Sequence, residues 1–371
     1  MIPVTKIFRG ERTVHNRKGG PLVVWNITSC CNLECGHCYR DSGPSAKAAE
    51  LSDEKCISLA AEIAELKPPV VLLTGGEPLL RKNVFDIVKE CKSKGLRVGL
   101  STNGTLIDGE TAERISLSGI DYVGISIDGK KDLHDKFRGK RGSFDASWAA
   151  IKLLNGLGVK TGVRFTITDK NKGDLDDILK QTVNAGTKRF CLYHLVYSGR
   201  AQKELDMNIG EKKKYMDKFF KAVKKISEAD PNFDVLTTDS PADGVFMAKL
   251  FGADVRGAEM LSCILSHGGC SAGERVAYID STGNIYPCQF LQGESLGNVK
   301  EKPLLDIWNN KGNGFLNKLR NKKELLEGKC GKCAHKDICG GCRARALAYH
   351  GSLWAEDPGC YLSDNEIQEK I

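Results

Sequence analysis

Three cysteines near the start of the chain constrain it more than any other feature. They lie in Cys31-Asn-Leu-Glu-Cys35-Gly-His-Cys38-Tyr39, directly after a strand-like apolar run. Thiolates select zinc, copper(I) or iron–sulfur clusters, and a closed zinc site or a fully ligated four-iron cluster takes four protein ligands. Three thiolates leave one metal position open, so that a second molecule can bind the metal there. The spacing therefore favours a catalytic metal centre over a structural one.

A zinc site with His37 as its fourth ligand is the alternative. An imidazole directly before Cys38 would form a cramped chelate, since zinc ligand pairs are usually about two to four residues apart. Cys30 falls outside the x3-x2 spacing that counts from Cys31. We expect Cys30 to be a packed thiol, or to contact the metal ligands without binding the metal itself.

The composition is that of a globular protein of 371 residues, 41% hydrophobic and 27% charged. Because we find no membrane-length apolar run and no signal-peptide core, we expect a cytoplasmic protein without membrane contact. The 15 cysteines are clustered, and in a reducing compartment metal explains them better than disulfides. The net charge of +8 is spread along the chain, and no nucleic-acid motif accompanies it, so we expect no nucleic-acid partner.

Short β-branched runs alternate with amphipathic helical stretches between residues 23 and 196, which predicts an α/β fold with a parallel sheet. We expect Ser52 to cap a helix, and Cys56 and Cys91 to be core cysteines on helix faces. The basic stretch 211–225 has apolar residues at helical spacing and predicts an amphipathic helix. Six strands are predicted, at residues 23–28, 70–74, 97–102, 122–127, 161–168 and 189–196.

Small and polar residues follow several of these strands. They include Gly75-Gly76-Glu77-Pro78, Asn103 and Ser126, with Arg138 a little farther along. Glycines expose backbone groups, and a carboxylate can accept hydrogen bonds from an ammonium. Since loops after the strands build the site in barrel-like α/β folds, these residues are candidates for binding a ligand.

The C-x3-C-x2-C spacing followed by an aromatic residue resembles the signature of radical S-adenosylmethionine (radical SAM) enzymes. The resemblance implies an open six-unit (β/α) barrel, and Cys31, Cys35 and Cys38 as ligands of a catalytic [4Fe–4S] cluster. S-adenosylmethionine would chelate the fourth iron. It would be contacted by Tyr39 near the adenine, by Gly75, Gly76 and Glu77 at the methionine amino group, and by Asn103, Ser126 and Arg138.

The C-terminal third contains eight more cysteines and resembles the SPASM domain of the same family, which holds auxiliary four-iron clusters. We expect a division into an N-terminal extension (1–20), a radical SAM barrel (21–250) and a SPASM domain (251–371), with a hairpin at residues 278–286. The x2 spacing between Cys339 and Cys342 departs from the usual x3, so one or two auxiliary clusters are expected. By resemblance the two ligand sets are Cys263, Cys270, Cys288 and Cys342, and Cys330, Cys333, Cys339 and Cys360.

Three further features can be interpreted. His194, in the last predicted strand, is as well explained as a core histidine as it is by a role as acid, base or iron ligand. Residues 237–244 are interpreted as a polar loop and a possible substrate lid. Arg200 is a candidate clamp for substrate carboxylates, because a guanidinium binds a carboxylate bidentately.

Three stretches, at residues 193–200, 239–246 and 354–362, resemble the haem-biosynthesis branch of the family. This implies a tetrapyrrole substrate and an electron donor such as a ferredoxin or flavodoxin. The favoured activity is that of the AhbC-like deacetylases, removal of acetate side chains from 12,18-didecarboxysirohaem to give iron-coproporphyrin III. The alternatives are NirJ-like removal of propionates in dioxo-haem biosynthesis, and a SPASM-type peptide maturase. The latter is disfavoured because about 30 residues before Cys31 are too few for a peptide-binding domain.

Overall fold

The computed structural model describes residues 1–11, 19–45, 49–251 and 257–369. Within them the strands are β1 Ile2–Pro3, β2 Leu22–Asn26, β3 Val71–Thr74, β4 Val98–Thr102, β5 Tyr122–Ser126, β6 Thr161–Ile167, β7 Arg189–His194, β8 Asp234–Thr238, β9 Val276–Ile279, β10 Asn284–Tyr286 and β11 Gly297–Asn298. The helices are α1 Val4–Phe8, α2 Asp53–Glu65, α3 Val84–Ser93, α4 Gly109–Leu117, α5 Lys131–Arg138, α6 Ser143–Gly156, α7 Leu175–Asn184, α8 Ile209–Ala229, α9 Ala242–Phe251, α10 Gly257–His267, α11 Leu304–Trp308, α12 Gly314–Arg320, α13 Gly328–Lys332, α14 Arg343–His350 and α15 Asp364–Gln368.

The strands form one sheet in the order β1-β8-β7-β6-β5-β4-β3-β2-β9-β10-β11. From β2 to β8 neighbouring strands are parallel and follow chain order, as successive βα units do. Side chains from β2 to β7 line one cavity, so this part of the sheet curls around it as an open barrel does. The predicted α/β fold and all six predicted strands are confirmed, with bounds shifted by a few residues.

The interpretation of residues 237–244 as a polar loop and lid is wrong. Thr237 and Thr238 end β8, a seventh parallel strand, and Ala242 begins α9. Asp239 makes the turn between them with a φ of 67°, a conformation that Asp tolerates better than most residues. The run Asp-Val-Leu-Thr-Thr is short and leads into Asp-Ser-Pro, which hides the strand behind a turn pattern.

The predicted helix features are present. Ser52 caps α2, its side chain accepting a hydrogen bond from the Lys55 N–H at 3.2 Å. Cys56 and Cys91 are 1% and 0% exposed and pack in the main core, as predicted. The basic stretch forms α8, which buries an apolar face of Met216, Phe219, Phe220 and Val223.

The first residues of the chain, 1–11 among those described, pack onto the barrel, and the predicted N-terminal extension stays a prediction. β1 pairs antiparallel with β8, and α1 packs against α8. The Thr5 hydroxyl also accepts a hydrogen bond from the Val235 N–H at 3.0 Å.

The C-terminal region continues the same sheet. β9 pairs in parallel with β2, and β9 and β10 form the predicted hairpin. The predicted domain boundary near residue 250 stays a prediction. The single sheet contains strands from both sides of that boundary. In the described parts of the chain, no helix combines the length and apolar character that crossing a bilayer requires.

Candidate active site

The three N-terminal cysteines lie on residues 28–43, which follow β2 and are called the cysteine loop below. The Cys31 N–H donates to the Gly43 carbonyl at 2.7 Å, which brings the two ends of the loop together. The Ser42 N–H points at the Cys38 sulfur, with 3.4 Å between N and Sγ. N–H groups directed at thiolate sulfurs are one of the means by which proteins tune iron–sulfur clusters.

Arg200, just after β7, holds the cysteine loop in place. Its Nε donates to the Cys35 carbonyl at 2.8 Å, and its two terminal nitrogens donate to the Asp41 carboxylate at 2.6 Å and the Ser42 carbonyl at 2.9 Å. All three guanidinium nitrogens are therefore engaged by the loop. Three of its five N–H donors are used in this way, and Arg200 is not among the residues that line the cavity described below, so the geometry assigns it to the cysteine loop and gives no support to a clamp on a substrate carboxylate.

All three thiols line one cavity at the carboxyl ends of the parallel strands. This cavity, called the barrel cavity below, has about 1110 Å³ of non-atom space, including space open to solvent. Burial raises the pKa of the Cys31 thiol to about 12. Burial also raises the pKa of Cys35, although the Arg138 guanidinium, 3.6 Å from its sulfur, acts in the opposite direction. A metal must supply the positive charge that makes such buried thiols thiolates.

His37 lines the same cavity as the thiols, but its Nε2 is directed at a carboxylate. Its Nε2 is 3.1 Å from Oδ2 of the buried Asp128, a carboxylate that also accepts from Arg138. The alternative of a zinc site completed by His37 therefore has no support in the geometry. Among the described residues no three Cys, His, Asp or Glu side chains converge as the ligands of one ion do. The thiolates of a four-iron cluster each bond a different iron and lie farther apart.

Gly75 and Gly76 let the loop after β3 touch the cysteine loop. A Cβ on Gly76 would lie 2.2 Å from the Cys30 carbonyl oxygen, and one on Gly75 would lie 2.5 Å from the Thr28 carbonyl oxygen. Both glycines also line the barrel cavity. Only residues without a side chain allow this approach, so backbone groups form this part of the wall.

Glu77 is fully buried and is not among the residues that line the barrel cavity. Its carboxylate accepts hydrogen bonds from the Thr102 hydroxyl at 2.7 Å and from the N–H groups of Asn103 at 2.8 Å and Leu79 at 3.2 Å. Burial raises its pKa to about 7 despite these donors. The carboxylate of Glu77 is thus bound to the end of β4 and to Leu79, and its predicted contact with the cosubstrate ammonium stays a prediction.

The other four predicted cosubstrate contacts, Tyr39, Asn103, Ser126 and Arg138, all line the barrel cavity. The Asn103 side chain donates to Asn32 at 2.9 Å and lies 4.0 Å from the Cys31 sulfur. The Tyr39 ring packs edge-on against Phe290 with 5.4 Å between ring centroids. The cavity therefore combines three thiols, two guanidinium groups, polar strand ends and aromatic rings.

Sequence reasoning missed Arg164, Thr166 and Tyr193, which line the same cavity from β6 and β7. A signal was present, because Arg164 is a charged residue in the middle of the otherwise uncharged strand Thr161–Ile167. In a strand that packs helices on one face, such a residue must point to the other face, the barrel interior.

His194 ends β7, is 2% exposed and also lines the barrel cavity. Its Nε2 lies 3.0 Å from Oδ2 of Asp243, whose Oδ1 accepts from the Tyr361 hydroxyl at 2.7 Å. Its Nδ1 has no partner within the described residues. The geometry supports the core interpretation, with one ring nitrogen bonded to Asp243 and the other buried, and a role as acid, base or iron ligand stays a prediction.

Four of the C-terminal cysteines, one of the two predicted ligand sets, line a second, smaller cavity: Cys330, Cys333, Cys339 and Cys360. The Cys330 sulfur receives the Asp357 N–H at 3.3 Å and the Arg343 guanidinium at 3.5 Å, and the Cys333 sulfur receives the His335 N–H at 3.4 Å. Four thiols with N–H donors around them suit a fully ligated auxiliary cluster.

The other predicted set is only partly assembled. Cys270, Cys288 and Cys342 pack in one cluster of side chains. Cys263 lies on α10 instead, with its sulfur 3.8 Å from His267 Nδ1, and packs in the main core. The structure thus brings three of these four predicted ligands together.

Comparison with known proteins agrees with this geometry. Residues 25–182 match the Radical SAM superfamily, and residues 270–334 match SPASM, an iron–sulfur cluster-binding domain. The chain is 37% identical to Fe-coproporphyrin III synthase of Methanosarcina barkeri, over 94% of this chain and 89% of that protein. It is 36% identical to pre-heme d1 synthase of Dinoroseobacter shibae, over 93% of this chain and 87% of that protein.

The fold is also that of solved radical SAM structures. SuiB of Streptococcus suis bound to S-adenosylmethionine superposes with a TM-score of 0.73 and 18% identity, over 93% of this chain and 78% of that one. The domains present imply [4Fe–4S] clusters and S-adenosylmethionine as cofactors, and the thiols and cavity wall found here fit them. The chain belongs to the radical SAM family and carries a C-terminal SPASM domain.

Proposed function

We propose that this radical SAM enzyme acts in haem biosynthesis and removes the acetate side chains of 12,18-didecarboxysirohaem to give iron-coproporphyrin III. The observation that carries the proposal is the 37% identity, over 94% of the chain, to a protein named for the formation of that product. The barrel cavity supports it, because aromatic rings and a guanidinium suit a flat macrocycle with carboxylate side chains.

In this proposal Cys31, Cys35 and Cys38 hold the catalytic cluster, and the residues around them hold S-adenosylmethionine. The proposed contacts are the Gly75–Gly76 backbone, Glu77, Asn103, Ser126, Arg138 and Tyr39, and Glu77 also holds the Asn103 N–H in place. The cluster and S-adenosylmethionine, when bound at these residues, would supply the radical chemistry. The chain itself orients the two ligands, excludes water and shields the reaction.

The C-terminal cysteines would hold one or two auxiliary clusters. Cys330, Cys333, Cys339 and Cys360 form the better defined set, and Cys270, Cys288 and Cys342 the other, with Cys263 proposed as its fourth ligand. We propose a small ferredoxin or flavodoxin as the source of electrons.

A second candidate, removal of propionate side chains, is supported by the 36% identity to pre-heme d1 synthase. The two candidates differ in the mass of the pigment they produce. Reconstituted, reduced protein is incubated anaerobically with S-adenosylmethionine and 12,18-didecarboxysirohaem, and the pigment is analysed by mass spectrometry. Iron-coproporphyrin III supports the deacetylase. A pigment that keeps both acetates and has lost propionates rejects it in favour of the second candidate.

A further inference from the structure

Arg164 is the feature of the barrel cavity that the cofactor assignments leave unexplained. It lies in the middle of β6, in register with Ser126 on one side and Cys191 on the other. The side chain is partly buried and lines the cavity. It is thus directed at the place where both ligands of the proposed reaction must bind.

The strands around Arg164 are shaped to accommodate its side chain. A Cβ on Gly124, in the neighbouring strand, would lie 2.8 Å from Arg164 Cδ, so the absence of a side chain there makes room for the arginine stem. The guanidinium carbon lies 4.7 Å from the centroid of the Tyr193 ring, and one terminal nitrogen donates to the Ser101 hydroxyl. A cation–π contact and a single hydrogen bond therefore fix the orientation of the fork.

No carboxylate neutralises Arg164 within the described part of the chain. Arg138, in the same cavity, pairs with Asp128, and the buried Arg345 pairs with Asp357, whereas Arg164 forms no ion pair with a described residue. Its Nε and second terminal nitrogen have no protein partner among these residues. A cation withdrawn from water without a partner is costly, and a guanidinium with free donors matches the two oxygens of a carboxylate.

We propose that Arg164 is the carboxylate-binding residue of the barrel cavity and donates through its free nitrogens to a carboxylate of a bound ligand. Two ligands of the proposed reaction carry this group: the tetrapyrrole, through its side chains, and S-adenosylmethionine, through its methionine end. The first source rests on the proposed function, and the second requires only that the chain binds S-adenosylmethionine.

The test measures binding rather than turnover. Arg164→Gln removes the charge and keeps a polar side chain, and Arg164→Lys keeps the charge without the fork. The probes for the first source are iron-coproporphyrin III and its tetramethyl ester, which lacks free carboxylates, followed by their visible absorbance. The probe for the second source is S-adenosylmethionine, titrated calorimetrically into the reconstituted, oxidised protein.

Arg189 provides a matched control. Its guanidinium lies 4.8 Å from the Tyr122 ring centroid, but it pairs with Asp234 at 3.2 Å, its side chain is 36% exposed and it does not line the cavity. Arg189→Gln should leave the affinities within ~2-fold of the parent protein, as expected for an exposed ion pair.

Arg164→Gln should weaken the binding of one probe by about 10- to 100-fold, the effect of losing charge-assisted hydrogen bonds. If the tetrapyrrole is the source, the variant should also lose the parent protein's preference for the free acid over the ester. If S-adenosylmethionine is the source, only its affinity should fall. Unchanged affinity for all probes would overturn the proposal.

Two further outcomes are informative. If Arg164→Gln does not fold with its full iron content, Arg164→Lys decides, since losing the fork should still weaken binding several-fold and parent-like affinity would overturn the proposal. If the parent protein binds neither pigment, the tetrapyrrole part of the proposed function fails, and the S-adenosylmethionine titration alone tests Arg164.

Discussion

The guanidinium of Arg345 donates to both carboxylate oxygens of Asp357, from Nε to Oδ1 at 2.8 Å and from Nη2 to Oδ2 at 2.9 Å. Both side chains are buried, and Arg345 also donates to the Leu195 carbonyl at 2.9 Å, which connects the pair to the end of β7. Burial opposes a charge on Asp357, but Arg345 and backbone N–H donors hold its pKa well below the usual range. The pair joins the barrel to the cysteine-rich region.

Arg345→Ala should therefore destabilise the protein by about 3–5 kcal/mol, because it leaves Asp357 as a buried charge without its partner. Asp357 accepts from the Cys342 N–H and donates its own N–H to the Cys330 sulfur, so iron should also be lost from the C-terminal region. Chemical denaturation and iron analysis measure both effects. Lys92→Ala, which removes a partly exposed pair with Asp121, is the control and should cost about 0–1 kcal/mol. If Arg345→Ala lost as little stability as Lys92→Ala and kept its iron, the Arg345–Asp357 pair would not join the barrel to the cysteine-rich region.

Gly199 should be required for the cysteine loop to keep its shape. It has a φ of 59°, and a Cβ there would lie 2.4 Å from the Cys38 carbonyl oxygen. Gly199→Ala should displace the loop and reduce the iron content and the reductive cleavage of S-adenosylmethionine.

Gly186→Ala is the matched control for that change. Gly186 has a φ of 71° with nothing within 4 Å of a built Cβ, so the substitution adds only the backbone penalty of about 1–2 kcal/mol. Iron content should stay at the parent level. If Gly199→Ala also keeps its iron, the contact with Cys38 has no role in holding the loop.

His134 should make the protein sensitive to mild acid. Burial lowers its pKa from 6.5 to about 4, and its Nδ1 accepts a hydrogen bond from the Asp128 N–H at 3.1 Å. A group with a lowered folded-state pKa stabilises the fold above its unfolded pKa, and this stability is lost as the pH falls toward the folded value. Between pH 7 and pH 5 the loss should be about 2 kcal/mol.

His134→Asn keeps an acceptor for the Asp128 N–H but cannot take up a proton. Its denaturation midpoint should therefore fall less between pH 7 and pH 5 than that of the parent protein. Parallel pH profiles for the two proteins would show that His134 titrates normally in the fold.

Replacing Cys31, Cys35 and Cys38 together by Ala should abolish reductive cleavage of S-adenosylmethionine. Without these thiols the chain cannot hold the cluster whose open metal position binds S-adenosylmethionine. The measurement is 5′-deoxyadenosine formed under reducing conditions. Cys91→Ala removes a core thiol away from the cavity and should keep parent-like cleavage at a cost of about 1 kcal/mol of stability. Formation of 5′-deoxyadenosine at the parent rate by the triple variant would remove the three cysteines from the catalytic site.

Much of the fold follows from local patterns in the sequence. Strands such as Val71–Thr74 and helices such as the one capped by Ser52 are specified by short-range periodicity and capping, which sequence shows directly. β8 was missed because its five residues run straight into a turn-like segment. The N-terminal strand was missed because two residues form a strand only through pairing with β8.

For the candidate site, sequence reasoning is strongest where one short motif carries the chemistry, as with the three cysteines that the structure places in one cavity. The partners of individual side chains could not be predicted where they come from distant segments of the chain. Arg200 was interpreted as free to bind substrate, and only the fold shows its nitrogens occupied by the cysteine loop. The hydrogen bonds from Thr102 and Asn103 to the Glu77 carboxylate are also visible only in the fold, because they join the ends of two strands.

The central claim is that acetate side chains are removed, and side-chain labelling tests it most directly. Two preparations of 12,18-didecarboxysirohaem, one with carbon-13 in the acetate side chains and one with carbon-13 in the propionates, are converted anaerobically by the reduced holoenzyme. The account predicts a pigment that has lost both carbons of each labelled acetate side chain and kept all of the propionate label. A pigment that keeps the acetate label while losing propionate label would contradict it.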